Sequence, residues 1–209
     1  MNEYKGLLIL GFGGHARSVA DVALAAGFRS LLFVDEHARE DEHFVGHRVQ
    51  PELPHQLPEG WACFPAAGDN HRRQMQVASI LSAGWPLATV ISPSATIGAG
   101  AIVSPGSFVG HHAHVGPMAR IGLAGIVNTG AIVEHECIIG DYVHVSVHAT
   151  TAGRSRLGDY VFLGAGATVI DGVTVTSNVA VGAGGVVITS IDSSGTYVGV
   201  PVRRIKPLS

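Results

Sequence analysis

A six-residue pattern repeats through the second half of the chain. Residues 121–150 read IGLAGI VNTGAI VEHECI IGDYVH VSVHAT when they are written in groups of six. The spacing runs without interruption from Ile91 to Val187, which makes seventeen groups, and sixteen of them begin with Ile, Val or Leu. Only Thr151 departs from this rule. The fifth residue of a group is usually small, as at Ala131 and Cys137.

A period of six excludes a helix, because helices repeat an apolar face every 3.5 or 3.6 residues. We expect the first and fifth residues of each group to point inward. Each group is then one short strand plus a corner, and three groups close one triangular coil. Seventeen groups give between five and six coils of a solenoid. Glycine is frequent in the second position, and we expect it to supply backbone freedom at the corners.

The first part of the chain alternates strands and helices instead. Strands are predicted over residues 7–10, 30–34 and 61–67, and helices over 15–26 and 71–83. Residues 38–60 are charged and proline-rich, and we expect them to be mostly connection. This alternation predicts a small parallel sheet. The predicted fold class is therefore mixed, with an α/β module at residues 1–88 and a repeat domain with a tail at 89–209.

Composition narrows the function classes. The 209 residues include 28 glycines and are 46% hydrophobic but only 6% aromatic and 14% charged, which excludes a coiled coil and a disordered chain. The net charge of −3 gives the chain no excess of positive charge with which to bind nucleic acid or an anionic membrane. No apolar stretch predicts a spanning helix or a signal peptide. Two cysteines make no disulfide framework, which favours a cytoplasmic protein.

A glycine-rich turn, Gly11-Phe12-Gly13-Gly14-His15, lies between the first predicted strand and helix. Its backbone amides are suited to phosphate. Asp35 ends the next strand, and Asp35 or Glu36 would accept hydrogen bonds from a ribose or a base. A module of this size has room for one half of a dinucleotide fold, so it predicts a site for a single nucleotide.

One corner of the repeat carries Glu134-His135-Glu136. A histidine flanked by carboxylates has a stabilised imidazolium and is a better base near neutral pH. From composition alone, a solvated turn histidine is the favoured interpretation of His135, because the sequence contains 12 histidines. Cys137 falls on an inward position, which favours a buried core cysteine over a nucleophile.

Residues 128–153 and the turn at Gly11–His15 resemble the PglD/NeuD family of sugar acyltransferases. The specific stretches are Asn-Thr-Gly at 128–130, Val-Glu-His-Glu-Cys-Ile-Ile-Gly at 133–140, His-Val-Ser-Val at 144–147 and Val-Gly-Val-Pro at 198–201. The resemblance covers essentially the whole chain. It implies a small Rossmann-like module followed by a left-handed parallel β-helix, assembled as a homotrimer with active sites between subunits. The handedness comes from this resemblance, since it departs from the usual crossover rule.

The family's functional residues carry over onto matching positions. The resemblance makes His135 the general base, Glu136 the residue that raises its basicity, and Asn128 an active-site residue. The acetyl-CoA positions are His144, Gly153, Ala165 and Ala183. The nucleotide-sugar positions are Gly13, Gly14, His15, Asp35 and Glu36, and Gly68-Asp69-Asn70 resembles a further loop of that module or is an ordinary turn. The implied reaction of this bacterial family is direct N-acetylation of a nucleotide-linked amino sugar, here a UDP-4-amino-4,6-dideoxy sugar for glycan biosynthesis, with no metal.

Other interpretations stay open. The acceptor could be a dTDP- or GDP-linked amino sugar, or the hydroxyl of a sialic-acid-like sugar, and a scaffold trimer would need no reaction at all. His111, His112 and His114 lie at one corner, and His144 and His148 are four residues apart, which invites comparison with the hexapeptide-repeat γ-class carbonic anhydrases. Those enzymes hold zinc with three histidines across a subunit interface, whereas the other interpretation of the triplet is a solvated turn. The basic tail residues Arg203, Arg204 and Lys206 would pair with CoA phosphates or remain solvated.

Overall fold

The α/β part is built on one small sheet in a computed structural model that describes residues 4–39 and 41–205. Its strands are β1 (Gly6–Leu10), β2 (Ser30–Val34), β3 (His43–Phe44), β4 (His47–Gln50) and β5 (Trp61–Pro65), and its helices are α1 (Gly14–Ala25) and α2 (Asn70–Ser82). The sheet order is β3-β4-β2-β1-β5. The central β1 is parallel to both β2 and β5 and is fully buried, so the predicted small parallel sheet is confirmed.

A hairpin on the sheet edge corrects the expectation that residues 38–60 are mostly connection. β3 pairs antiparallel with β4, and β4 continues the sheet in parallel beside β2. The two-residue turn, Val45 and Gly46, has positive φ at both positions (47° and 80°). A β-branched residue rarely adopts this conformation, so Val45 gave no turn signal.

The repeat forms one short strand per group of six. These strands are β6 (Val90–Ile91), β7 (Thr96–Ile97), β8 (Ile102–Val103), β9 (Phe108–Val109), β10 (His114–Val115), β11 (Arg120–Ile121), β12 (Ile126–Val127), β13 (Ile132–Val133), β14 (Ile138–Ile139), β15 (His144–Val145), β16 (Thr150–Thr151), β17 (Arg156–Leu157), β18 (Phe162–Leu163), β19 (Thr168–Val169), β20 (Thr174–Val175), β21 (Val179–Val181) and β22 (Val186–Val187). Each of these strands ends on the first residue of a group, starting with Ile91 at the end of β6.

The strands stack into three faces, because each strand inside the stack pairs in parallel with the strands three before and three after it. Face 1 contains β6, β9, β12, β15, β18 and β21; face 2 contains β7, β10, β13, β16, β19 and β22; face 3 contains β8, β11, β14, β17 and β20. The chain runs from face 1 to face 2 to face 3, and we name the corners 1–2, 2–3 and 3–1 accordingly. The triangular coil is therefore confirmed.

The interior of the solenoid takes the first and fifth residues of each group, as predicted. Val133 and Cys137 are fully buried. The polar exception, Thr151, is also fully buried, and its hydroxyl donates to the carbonyl of Ile132 on the coil before it. That hydrogen bond removes the cost of an unpaired buried hydroxyl.

The glycines in the second position of a group are needed for a reason other than the expected backbone freedom. The left-handed backbone falls on the fourth residue of a group, which is often not glycine, as at Glu136 (φ 58°) and His148 (φ 53°). Second-position glycines such as Gly116 lack a positive φ. A Cβ on Gly116 would lie 2.6 Å from the backbone nitrogen of His135 on the next coil. These glycines therefore permit close stacking of coils rather than unusual dihedral angles.

The tail leaves the six-residue pattern after about residue 190, as expected. β23 (Gly195–Gly199) runs parallel to β21 and so extends face 1, and β24 (Val202–Ile205) returns antiparallel beside it. Arg203 and Arg204 are exposed on β24, while Lys206 lies outside the described residues. No helix in residues 4–39 and 41–205 is long and apolar enough to cross a membrane.

Candidate active site

A cleft of about 620 Å³ opens between the α/β module and face 1 of the solenoid. It is lined by Gly68, Asp69, Asn70, His71, His144, Tyr160, Phe162, Asn178, Val179, Ala180, Gly195 and Thr196. Face 1 contributes outward residues of three successive coils and of β23, and the module contributes the end of the loop before α2 and the first residues of that helix. The Gly68-Asp69-Asn70 segment forms one wall of this cleft, and Asp69 also caps α2 by accepting from the backbone N–H of Arg72.

His144 is held at both ring nitrogens. Nδ1 lies 3.2 Å from the carbonyl oxygen of Gly68, and Nε2 lies 3.3 Å from Nδ2 of Asn128. The amide of Asn128 is oriented in turn, because its Oδ1 accepts from the backbone N–H of Thr129 at 2.8 Å. A carbonyl only accepts, so the neutral ring carries its proton on Nδ1, and Nε2 accepts from Asn128.

A second histidine ring lies beside this one. The centroids of His15 and His144 are 6.0 Å apart, and Nε2 of His15 is buried with no hydrogen-bond partner among the described residues. Burial, reinforced by the charges of His144 and Arg73, lowers the pKa of His15 to about 3. Burial and the charge of Arg73 lower the pKa of His144 to about 4, against an opposing effect of the Gly68 carbonyl. Both rings are therefore neutral at pH 7.

These two histidines should make the fold sensitive to acid. The unfolded chain protonates them near the ordinary pKa of 6.5, while the folded chain leaves them neutral until about pH 4 and about pH 3. Between these values the unfolded chain binds more protons, so the free energy of unfolding falls as the pH falls below about 6.5. We expect urea unfolding at about pH 7.5 and about pH 5 to show a smaller loss in His144→Gln than in the wild type. An equal loss in both proteins would contradict the burial of a neutral His144.

His135 lies at corner 2–3, where the sequence predicted it. Its side chain is 42% exposed, and Nδ1 lies 3.2 Å from Oε2 of Glu136. The ring covers Gly153 on the next coil, since a Cβ built there would overlap Nε2 and lie 2.5 Å from Cε1. A carboxylate on Nδ1 fixes the proton there and leaves Nε2 free to act as a base.

The predicted site residues occupy different corners of one chain. His135, Glu136 and Gly153 are at corner 2–3. Asn128, Ala165 and Ala183 are at corner 1–2, with Ala165 and Ala183 exposed one coil apart, and His144 is on face 1. Asn128 and His144 meet, but the solenoid separates both from His135. A site that uses all of them needs corner 2–3 of one chain against corner 1–2 of another.

The glycine-rich turn ends at the N-terminus of α1. Gly13 is the N-cap, with no side chain to occupy the first amides, and a Cβ at Gly13 or Gly14 would meet nothing within 4 Å among the described residues. Asp35 borders two further clefts here, of about 260 and 460 Å³. Its Oδ2 accepts from the backbone N–H of Phe12 at 2.8 Å and its Oδ1 from that of His37 at 3.0 Å. Glu36 is exposed and borders the smaller cleft.

Comparison with known proteins connects these features. The family described as the PglD N-terminal domain matches residues 6–80. The acetyltransferase domain of PglB from Neisseria gonorrhoeae FA1090 is similar at 31% identity and a TM-score of 0.89, over 96% of this chain and all of that one. PerB from Caulobacter crescentus, in complex with CoA and GDP-perosamine, is similar at 32% identity and a TM-score of 0.87, over 96% of this chain and 97% of that one.

The chain belongs to the PglD/NeuD family of sugar acyltransferases. It is therefore an acyltransferase, and its fold is the small Rossmann-like module followed by the left-handed parallel β-helix that the resemblance implied. WeeI from Acinetobacter baumannii AYE shares this fold at 22% identity and a TM-score of 0.81.

In this acyltransferase, sequence reasoning missed Arg73. Its side chain is fully buried between the module and the solenoid, where Nε donates to the carbonyl of Ala124 at 2.8 Å and Nη2 to that of Tyr142 at 2.7 Å. A signal was present, because residues 73, 77 and 80 share one face of α2 and the last two are apolar. An arginine on an apolar helical face indicates a buried, hydrogen-bonded guanidinium.

The histidine triplet has contacts of its own. His111 bridges the two parts of the chain, with Nε2 3.1 Å from Oδ2 of Asp21 on α1 and Nδ1 2.7 Å from Oγ of Ser92. Nδ1 of His114 lies 2.6 Å from Oγ1 of Thr96. Within residues 4–39 and 41–205, no three His, Cys, Asp or Glu side chains are grouped as metal ligands. Cys137 is fully buried and burial raises its pKa, so the core interpretation of this cysteine is confirmed.

Proposed function

We propose that the chain is an acetyl-CoA-dependent N-acetyltransferase that acts on the amine of a nucleotide-linked amino sugar, with a UDP-4-amino-4,6-dideoxy sugar as the acceptor. The observation that carries this proposal is the His135–Glu136 pair, a histidine with one nitrogen tied to a carboxylate and the other free, in a family of sugar acyltransferases. Two similar structures support the substrate classes: the PglB domain in complex with acetyl-CoA, and PerB in complex with CoA and GDP-perosamine.

The reaction needs one base and no covalent intermediate on the enzyme. The sugar amine attacks the thioester carbon of acetyl-CoA, and Nε2 of His135 takes a proton from the attacking nitrogen. The tetrahedral intermediate then collapses with cleavage of the C–S bond. This cleavage leaves the amide product, and the departing CoA thiolate takes the proton back from Nε2 of the His135 imidazolium. Glu136 stabilises the imidazolium that forms on His135 between these steps.

The α/β module would hold the nucleotide part of the acceptor. The uncapped N-terminus of α1 at Gly13 and Gly14 offers free backbone amides and the positive end of the helix dipole to a diphosphate. Asp35 and Glu36 border the adjacent clefts, where their carboxylates would accept from ribose or base. His15 follows these glycines and turns its ring toward His144, so the sugar would extend from the phosphates toward the cleft on face 1.

We propose a homotrimer in which each active site combines two chains. His135, Glu136 and Gly153 of one subunit would face Asn128, His144, Ala165 and Ala183 of the next. The exposed line of Ala165 and Ala183 along corner 1–2 offers backbone groups to the extended acetyl-CoA molecule. We assign residues 1–88 to the nucleotide-sugar module and 89–209 to the acyltransferase domain. We also propose a cytoplasmic location, which the two unpaired cysteines, Cys63 and Cys137, support.

A substrate panel tests this function. Acetyl-CoA consumption, followed by release of the free thiol, would be measured against amino sugars linked to UDP, dTDP and GDP, and against a sialic acid. We expect turnover with a UDP-linked 4-amino sugar. Turnover only with a dTDP- or GDP-linked sugar would change the assigned nucleotide of the acceptor. Turnover only with the sialic acid would make the reaction O-acetylation. No turnover with any of them would contradict the proposed function.

A further inference from the structure

Arg73 donates hydrogen bonds to its own module as well as to the solenoid. Besides its contacts with Ala124 and Tyr142, Nη1 donates to the carbonyls of Ala67 at 3.0 Å and Gly68 at 3.2 Å, and Nη2 donates to Oδ1 of Asn70 at 2.9 Å. The guanidinium therefore reaches backward along its own chain as well as across to the solenoid. It holds the loop that forms one wall of the cleft.

Gly68 connects Arg73 to His144. Its carbonyl oxygen accepts from Nη1 of Arg73 and lies 3.2 Å from Nδ1 of His144. A carbonyl oxygen has two lone pairs, so it can accept both hydrogen bonds at once. The orientation of this carbonyl, together with the Asn128 amide, sets which nitrogen of His144 carries the proton. The Arg73 guanidinium contacts the loop at both Gly68 and Asn70.

We propose that Arg73 is a positioning residue for acetyl transfer: by fixing the Gly68 carbonyl it holds His144 as the tautomer with its proton on Nδ1, so that Nε2 presents a lone pair beside Asn128. This proposal rests on the proposed function only for its kinetic test. The single lone pair of Nε2 accepts from Asn128, so His144 cannot donate a hydrogen bond into the cleft from this nitrogen. Stabilisation of the tetrahedral oxyanion must come from another donor.

The chemistry of arginine suits this role. A planar guanidinium has five donors in a fixed arrangement, and here they reach carbonyls on three separate segments. Lysine keeps the charge but replaces the planar fork with a flexible ammonium, so it cannot hold these segments in one geometry. The buried charge has a second effect, since it helps to lower the pKa of His144.

The wild-type protein gives the first test. Long-range ¹H–¹⁵N correlation spectra of protein labelled in its histidines report which ring nitrogen carries the proton. We expect the His144 signals, assigned by their loss in His144→Gln, to show a protonated Nδ1 and an unprotonated Nε2. A proton on Nε2 would overturn the proposal, and this result does not depend on any substrate.

A double-mutant cycle gives the second test. We expect Arg73→Lys to lower kcat/KM by about tenfold or more and to give a mixture of His144 tautomers, while Arg29→Lys, on the exposed surface of the same module, changes neither. In a His144→Gln background, Arg73→Lys should lower kcat/KM less than about twofold further. An equal loss in both backgrounds would mean that Arg73 acts only on the fold, and would overturn the positioning role.

Discussion

We expect His135→Ala to lower kcat by about 10²–10⁴-fold, the range typical of a lost general base, with little change in the melting temperature. The side chain is 42% exposed at a corner, and its ring contributes nothing to the buried stack of inward residues. The variant therefore separates chemistry from folding. Thiol release with the accepted amino sugar measures kcat, and thermal unfolding followed by circular dichroism measures stability.

His114→Ala is the matched control for this variant. His114 lies one coil below Ile132 on face 2 and contacts Thr96 rather than a carboxylate, so we expect its replacement to leave kcat unchanged. Glu136→Gln should lower kcat less than His135→Ala does, because the amide still orients the ring but no longer stabilises its charge. Turnover of His135→Ala at the wild-type rate would exclude His135 as the base.

Gly153→Ala should also lower kcat strongly, although it removes no polar group. The new Cβ would overlap the ring of His135, while Gly153 itself has no positive φ that would strain an alanine. The rearrangement that relieves this overlap at the lowest energy is rotation of the exposed His135 side chain away from its position. A displacement of about 1 Å in a catalytic group can cost about 10²-fold, so we expect a loss of about that size in kcat.

Stability distinguishes this effect from general damage. The melting temperature of Gly153→Ala should stay close to that of the wild type, because the displaced ring is free to move into solvent. In a His135→Ala background the alanine at 153 meets no ring, so it should change the melting temperature even less. Wild-type turnover by Gly153→Ala would show that the observed ring position does not matter for the reaction.

The repeat was predictable because its physics is local. An aliphatic residue every six positions, with a small residue four later, leaves only a narrow three-faced coil, and Val133 and Cys137 are buried as this pattern requires. The role of the corner glycines was not local. Gly116 is constrained by the backbone of His135, nineteen residues away in sequence and one coil away in space. Likewise, the hairpin at Val45 and Gly46 escaped prediction because Val45 adopts a conformation that valine rarely takes.

The candidate site was predictable in part. His135 and Glu136 are neighbours in sequence, so their pairing follows from the corner they share. The network of Arg73, Gly68, His144 and Asn128 depends on how the module packs against face 1, which no short-range pattern encodes. The remaining relation, between His135 and Asn128, lies across different corners of one solenoid. A site that combined the two residues would require the surface of a second chain.

Subunit complementation tests the central claim most directly: that His135 of one chain acts on a substrate held by the module of another. His135→Ala chains and Asp35→Ala chains, carrying different affinity tags, would be co-expressed, and oligomers with both tags would be assayed for thiol release. Each parent variant should be nearly inactive. The account predicts that mixed oligomers recover turnover, because some interfaces pair an intact His135 with an intact module. Mixed oligomers as inactive as their parents would contradict it.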